Sequence, residues 1–122
     1  MTKSLPDMQM LHELLSYNPL TGELTWKYKT MKHCASEREM NRWNGRHGGK
    51  DVGGKPNSKG YYTITIDSIS YLQHRIIWKM VYGTELPFID HEDGITTNNE
   101  LINLKAATRR ENNVNAKKRK DN

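Results

Sequence analysis

The chain has 122 residues, of which 34% are hydrophobic, a formal net charge of +5 and a single cysteine, Cys34. That length suits one domain with a thin core, and one cysteine excludes both an intramolecular disulfide and a four-cysteine zinc site. With no apolar leader and no membrane-length run, a soluble cytoplasmic protein is expected, without a membrane or disulfide-linked partner.

The location of the charge says more than its size. Lys105, Arg109, Arg110, Lys117, Lys118, Arg119 and Lys120 face only Glu111 and Asp121 in the last eighteen residues, which therefore carry the whole excess. Such a basic stripe suits a polyanion such as nucleic acid, and it equally suits a solubilising, frayed tail.

In chain order, residues 8–16 put Met10, Leu11, Leu14 and Leu15 on one helical face, and Asn18-Pro19 ends that helix. A turn at Thr21-Gly22 leads to a short alternating strand over 23–28. Residues 29–60 are polar and rich in Gly, Lys and Asn, so a long ligand-wrapping loop or partial disorder is expected there. Residues 61–67 alternate as a strand, with Tyr62, Ile64 and Ile66 on one face. Asp67-Ser68 suits a turn into a return strand over 69–73. A buried helix over 74–82 should stop at Gly83. Short extended pieces follow at 88–91 and 101–106. Thr108 and Glu111 then form a capping box for a last helix beginning near Arg109. Arg109 and Arg110 in its first turn oppose the helix dipole, a local conflict of the kind that marks function.

The chemistry-bearing residues are Asp90, His91, Asn103 and Asn112. Breaking a phosphodiester requires a base for water, stabilisation of charge on phosphorus and help for the leaving oxygen. Histidine titrates near neutrality and serves the first need. A divalent cation on oxygen ligands serves the others. If strands 88–91 and 101–104 pair and the capped helix packs on them, Asn112 lies beside Asp90 and His91. Neighbouring strand residues point to opposite faces, so Asp90 and His91 converge only where the strand ends or distorts.

The ordered set Asp90-His91, Gly94, Asn98-Asn99, Asn103-Leu104, Asn112-Asn113 and Asn115 resembles the HNH endonuclease family. It is closest to the phage-borne and homing branch, which has asparagine in place of the last histidine. The resemblance extends upstream through Tyr17, Gly22 and Trp26, through Asn41 to Asn44, and through Gly60-Tyr61, His74-Arg75 and Trp78. It implies a small α+β domain with antiparallel strands and a C-terminal ββα-metal (His-Me finger) motif. In that reading residues 1–87 are a scaffold, 88–116 the motif and 117–122 a basic tail. It further implies DNA as partner, His91 as general base, Asp90 and Asn112 as metal ligands, and Asn103 as the residue that orients loop and histidine. Two oxygen ligands favour Mg²⁺ or Mn²⁺ over Zn²⁺.

Beside such a site, Lys105, Arg109 and Arg110 read as phosphate contacts, and Lys117, Lys118, Arg119 and Lys120 as nonspecific affinity. Arg75 suits either a phosphate contact or an ion pair. Asn98 and Asn99 read as turn residues, Asp93 as a turn residue before Gly94 with an outer-sphere metal partner as the alternative, and His74 as a packing or capping residue. His12, His33 and His47 read as surface residues, and the three tryptophans as anchors. The alternative function is a non-catalytic DNA-binding or regulatory protein on the same fold. No motif distinguishes monomer from homodimer, or nicking from double-strand cutting.

Overall fold

The computed structural model describes residues 4–108. The last helix expected from Arg109, together with Asn112 and the tail lysines and arginines, lies outside the described residues.

Asp7 opens the first helix by accepting the Met10 amide at 2.8 Å, satisfying a donor that has no partner within the helix. This helix, α1 (Met8–Leu14), buries Leu11 and Leu14. It ends earlier than its apolar spacing suggests, because Leu15 turns extended and starts β1 (Leu15–Tyr17). The cause is tertiary: Leu15 pairs with Trp26 of β2 (Leu24–Trp26), and its side chain is fully buried.

The polar stretch 29–60, expected as a loop or partly disordered, contains a 3-10 turn (Met31–His33) and an eleven-residue helix, α2 (Glu37–His47). Capping accounts for its start. Ser36 Oγ accepts the Glu39 amide and Glu39 Oε2 accepts the Ala35 amide, each at 3.1 Å. No α2 residue is fully buried. The helix is held by Trp43, edge-on to Trp26 with ring centres 5.4 Å apart, and by Asn44, which bonds both backbone groups of Lys29. A helix anchored by two residues leaves no apolar periodicity to read.

β3 (Thr63–Ile66) and β4 (Ile69–Leu72) form a hairpin in which Ile66 pairs with Ile69. Asp67 and Ser68 both take positive φ, the twist a two-residue hairpin loop demands. α3 (Gln73–Tyr82) follows at once and stops at Gly83, left-handed at φ 73°. β5 (Ile89–His91) pairs antiparallel with β6 (Leu104–Ala106), Asp90 opposite Lys105 and His91 opposite Leu104. The partner strand thus begins at Leu104, three residues later than the expected start at Leu101, since Leu101–Asn103 closes into a 3-10 turn.

Among the described residues the strands make three separate two-stranded antiparallel ribbons around the helices, an α+β arrangement. Leu11, Leu15, Leu24, Ile76 and Ile77 are the most completely buried side chains. α1 lies against α3, where His12, exposed at the surface, donates through Nε2 to the Met80 carbonyl at 2.8 Å. No helix among the described residues is long and apolar enough to cross a membrane.

Candidate active site

The loop between β5 and β6 is latched by its own polar side chains. Asn103 is buried, its Oδ1 accepting the Asp93 amide at 2.9 Å and its Nδ2 donating to Asp93 Oδ1 and the Asn98 carbonyl, both at 2.9 Å. Asp93 also accepts the Ile95 amide and the Asn98 side-chain amide, each at 2.8 Å. Burial pushes the Asp93 carboxyl up, but the donors of Asn98, Ile95 and Asn103 and the neighbouring His91 together hold it below its usual range. The turn closes with Gly94 N–H to the His91 carbonyl and Glu92 N–H to the Asn103 carbonyl, both at 2.8 Å.

His91 ends β5 with only 2% of its surface exposed. Its Nε2 lies 2.9 Å from Asn99 Oδ1, an atom that can only accept. Nε2 therefore carries the proton, and the ring's basic lone pair is on Nδ1. Asn99 is itself 3% exposed, and its backbone is clamped by a segment distant in sequence. The Tyr17 hydroxyl donates to its carbonyl at 2.5 Å, and Leu101 N–H donates to Pro19 O at 3.0 Å. Burial, with smaller contributions from Glu100 and Tyr82, pushes the Tyr17 phenol up to about 12, so it stays a donor. Gly22, at φ 82°, lies so close that a Cβ there would sit 2.6 Å from the Asn99 carbonyl carbon and the Glu100 nitrogen. The β1–β2 hairpin thus positions the residue that holds His91.

Two rings complete the surroundings of His91. The His74 ring is edge-on at 4.9 Å between centres, and Tyr61 touches both histidines at 5.4 and 5.9 Å. Burial first, then His91 and Arg75, depress the His74 imidazole to about 3, so it is neutral at ordinary pH. Thr96 Oγ1 donates to the Gly60 carbonyl at 2.6 Å, tying the loop to the segment that carries Tyr61. Next to these rings lies a cleft of about 570 Å³ lined by Lys59, Tyr61, His74, Arg75 and Phe88.

Of the site residues expected from the sequence, the fold brings Asp90, His91 and Asn103 onto one strand pair and its loop. Asp90 is buried next to His91 and opposite Lys105 in register. Lys105 is exposed and 3.8 Å from Glu92, a weak surface pair. Arg75 lines the cleft beside His74. Asn112, Arg109, Arg110, Lys117, Lys118, Arg119 and Lys120 lie outside the described residues. Asn103 bonds within the loop, and the amide bonded to the His91 ring belongs to Asn99. Turn propensity explains Asn98, whose Oδ1 accepts the Glu100 amide in a tight turn; it misses Asn99. The adjacency of two asparagines before Asn103 was the available signal. His74 and Tyr61 were legible only as scaffold. Among the described residues no three of His, Cys, Asp and Glu gather as a metal cluster.

Residues 71–114 match the family model described as HNH endonuclease. This segment, rather than the chain as a whole, is similar to the HNH endonuclease family. The matched HNH stretch runs from β4 across α3 and the β5–β6 loop, and so contains every residue of the latch. Comparison with curated protein sequences gives no match. Among solved structures the fold is similar to one described as "DNA binding and cleavage by the HNH homing endonuclease I-HmuI", with a TM-score of 0.60 and 20% identity. The alignment covers 97% of this chain and 60% of that one, so the chain spans less than two thirds of that structure's length.

Proposed function

We propose that this chain is a metal-dependent DNA endonuclease that hydrolyses phosphodiester bonds with His91 as general base. The observation that carries the reading is the buried His91, protonated on Nε2 by its bond to Asn99 and set beside the buried carboxylate of Asp90. In this tautomer Nδ1 takes the proton from water as the water attacks phosphorus in line with the leaving 3′ oxygen. His74 remains neutral, so it adds no charge that would repel the proton His91 accepts. The products carry 5′-phosphate and 3′-hydroxyl ends.

The donor chemistry fits a hard divalent cation. Asp90 and Asn112 would hold it, both through oxygen, which favours Mg²⁺ or Mn²⁺ over Zn²⁺. When bound, the ion supplies charge stabilisation at the phosphorus centre and the leaving oxygen. Arg75 and Lys105, with Arg109 and Arg110, position the phosphate backbone without reading bases. Lys117, Lys118, Arg119 and Lys120 add salt-sensitive affinity.

The test is incubation with supercoiled plasmid and Mg²⁺ or Mn²⁺, with and without EDTA. Nicked or linear product that EDTA abolishes is expected. Intact plasmid under every metal condition, alongside retained DNA binding, favours the non-catalytic alternative.

A further inference from the structure

The helix α2 carries a cationic stripe that the HNH site does not use. Arg38, Arg42 and Arg46 recur at every fourth position and all three are exposed. At 3.6 residues per turn and 1.5 Å per residue they fall within an arc of about 80° and span about 12 Å of the helix axis. The other side of the helix faces the domain, with Trp43 and His47 packed on Trp26 and Asn44 bonded to Lys29. The stripe therefore points outward. Glu39, Asn41 and Gly45 border the stripe, and a Cβ at Gly45 would meet no atom within 4 Å.

Two observations separate this face from an ordinary solvated one. Among the described residues no carboxylate pairs with any of the three arginines, and the helix's own Glu39 is turned back to cap Ala35. Like charges four residues apart also repel along a helix, so the arrangement works against α2 in isolation. A polyanion relieves both conditions. Duplex DNA presents a charge for about every 1.7 Å of axis, so a stripe of this length faces several phosphates.

We propose that the Arg38/Arg42/Arg46 face of α2 is a second duplex-DNA backbone contact, separate from the HNH segment, that grips phosphates without reading bases. The choice of DNA as the polyanion rests on the nuclease reading above. Trp43 is committed to packing on Trp26, which argues against a stacking surface for unpaired bases. Three phosphate contacts here would make affinity steeply salt-dependent.

The experiment measures binding of the full chain to a fluorescent mixed-sequence DNA duplex in EDTA, which prevents cleavage, across a salt series. Changing all three arginines to glutamine, itself a good helix former, should lower the slope of log affinity against log salt by roughly 0.9 per contact, or about 2.7 in all. Changing all three to lysine should preserve the slope. An unchanged slope in the glutamine variant overturns the proposal. So does an equal loss in the lysine variant, or a larger loss on an RNA hairpin than on DNA. No DNA binding by the parent protein sinks the nuclease reading itself, whereas normal binding with an unchanged slope sinks only the stripe.

Discussion

Replacing Asn99 with alanine removes the acceptor of the His91 Nε2–H while leaving every proposed metal ligand in place. Both residues are almost wholly buried and the bond is 2.9 Å long, so water does not readily substitute. A buried donor left unpaired costs about 1–3 kcal/mol. The imidazole avoids that cost by moving its proton to Nδ1, the atom the mechanism needs as base. At 1.36 kcal/mol per factor of ten, the competent tautomer and the single-turnover rate fall roughly 10- to 100-fold. Asn99→Asp separates this role from simple structural support. A carboxylate against the ring favours the imidazolium, so the His91 pKa rises and the base is lost at neutral pH. The acid limb of the pH–rate profile should then move up by about 1–3 units, with activity recovering at higher pH. The assay is single-turnover nicking of supercoiled plasmid in Mg²⁺, with circular dichroism to confirm folding. A folded Asn99→Ala variant that cuts at the wild-type rate, or a folded Asn99→Asp variant with an unmoved acid limb, would show that Asn99 does not set the His91 tautomer.

Gly22→Ala should destabilise the domain by more than about 1 kcal/mol in urea denaturation, because φ is 82° and the new Cβ meets the Asn99–Glu100 backbone. It should also slow cleavage by displacing Asn99. His74 makes the fold acid-sensitive: its folded pKa, about 3, is below the unfolded value, so the unfolded state binds more protons between those values. Stability from the neutral His74 is present above the unfolded pKa near 6.5 and is lost as pH falls toward 3. Denaturation melts of His74→Phe should show a flatter decline across that window. Replacing Arg75 and Lys105 with glutamine should reduce the salt slope of DNA binding by roughly 0.9 for each residue that meets a phosphate. An unchanged slope would return Arg75 to a purely structural role.

Residues whose type suggests chemistry stand out in the sequence, and those that matter through placement do not. Asp90, His91 and Asn103 stand out because a carboxylate, an imidazole and an amide at those spacings resemble the HNH pattern. Gly83 and the Asp67-Ser68 turn were legible because backbone conformation restricts which residues can occupy them. Asn99 was hidden, since an asparagine in a loop already has a sufficient explanation as a turn residue. Its placement depends on the β1–β2 hairpin, distant in sequence, through Tyr17 and Gly22. α2 was hidden for a different reason: it is stabilised by a capping pair and two anchors rather than by an apolar face. Leu15 shows the limit of periodicity, because helical spacing continues through it while its pairing with Trp26 makes it a strand residue.

The role of His91 as base is tested by single-turnover plasmid cleavage with His91→Ala in Mg²⁺ at saturating protein. Loss of a positioned general base typically costs about 10²- to 10⁴-fold in rate. A fall of that size, with duplex affinity retained, is the predicted result; cleavage by the folded variant at the wild-type rate would contradict the account.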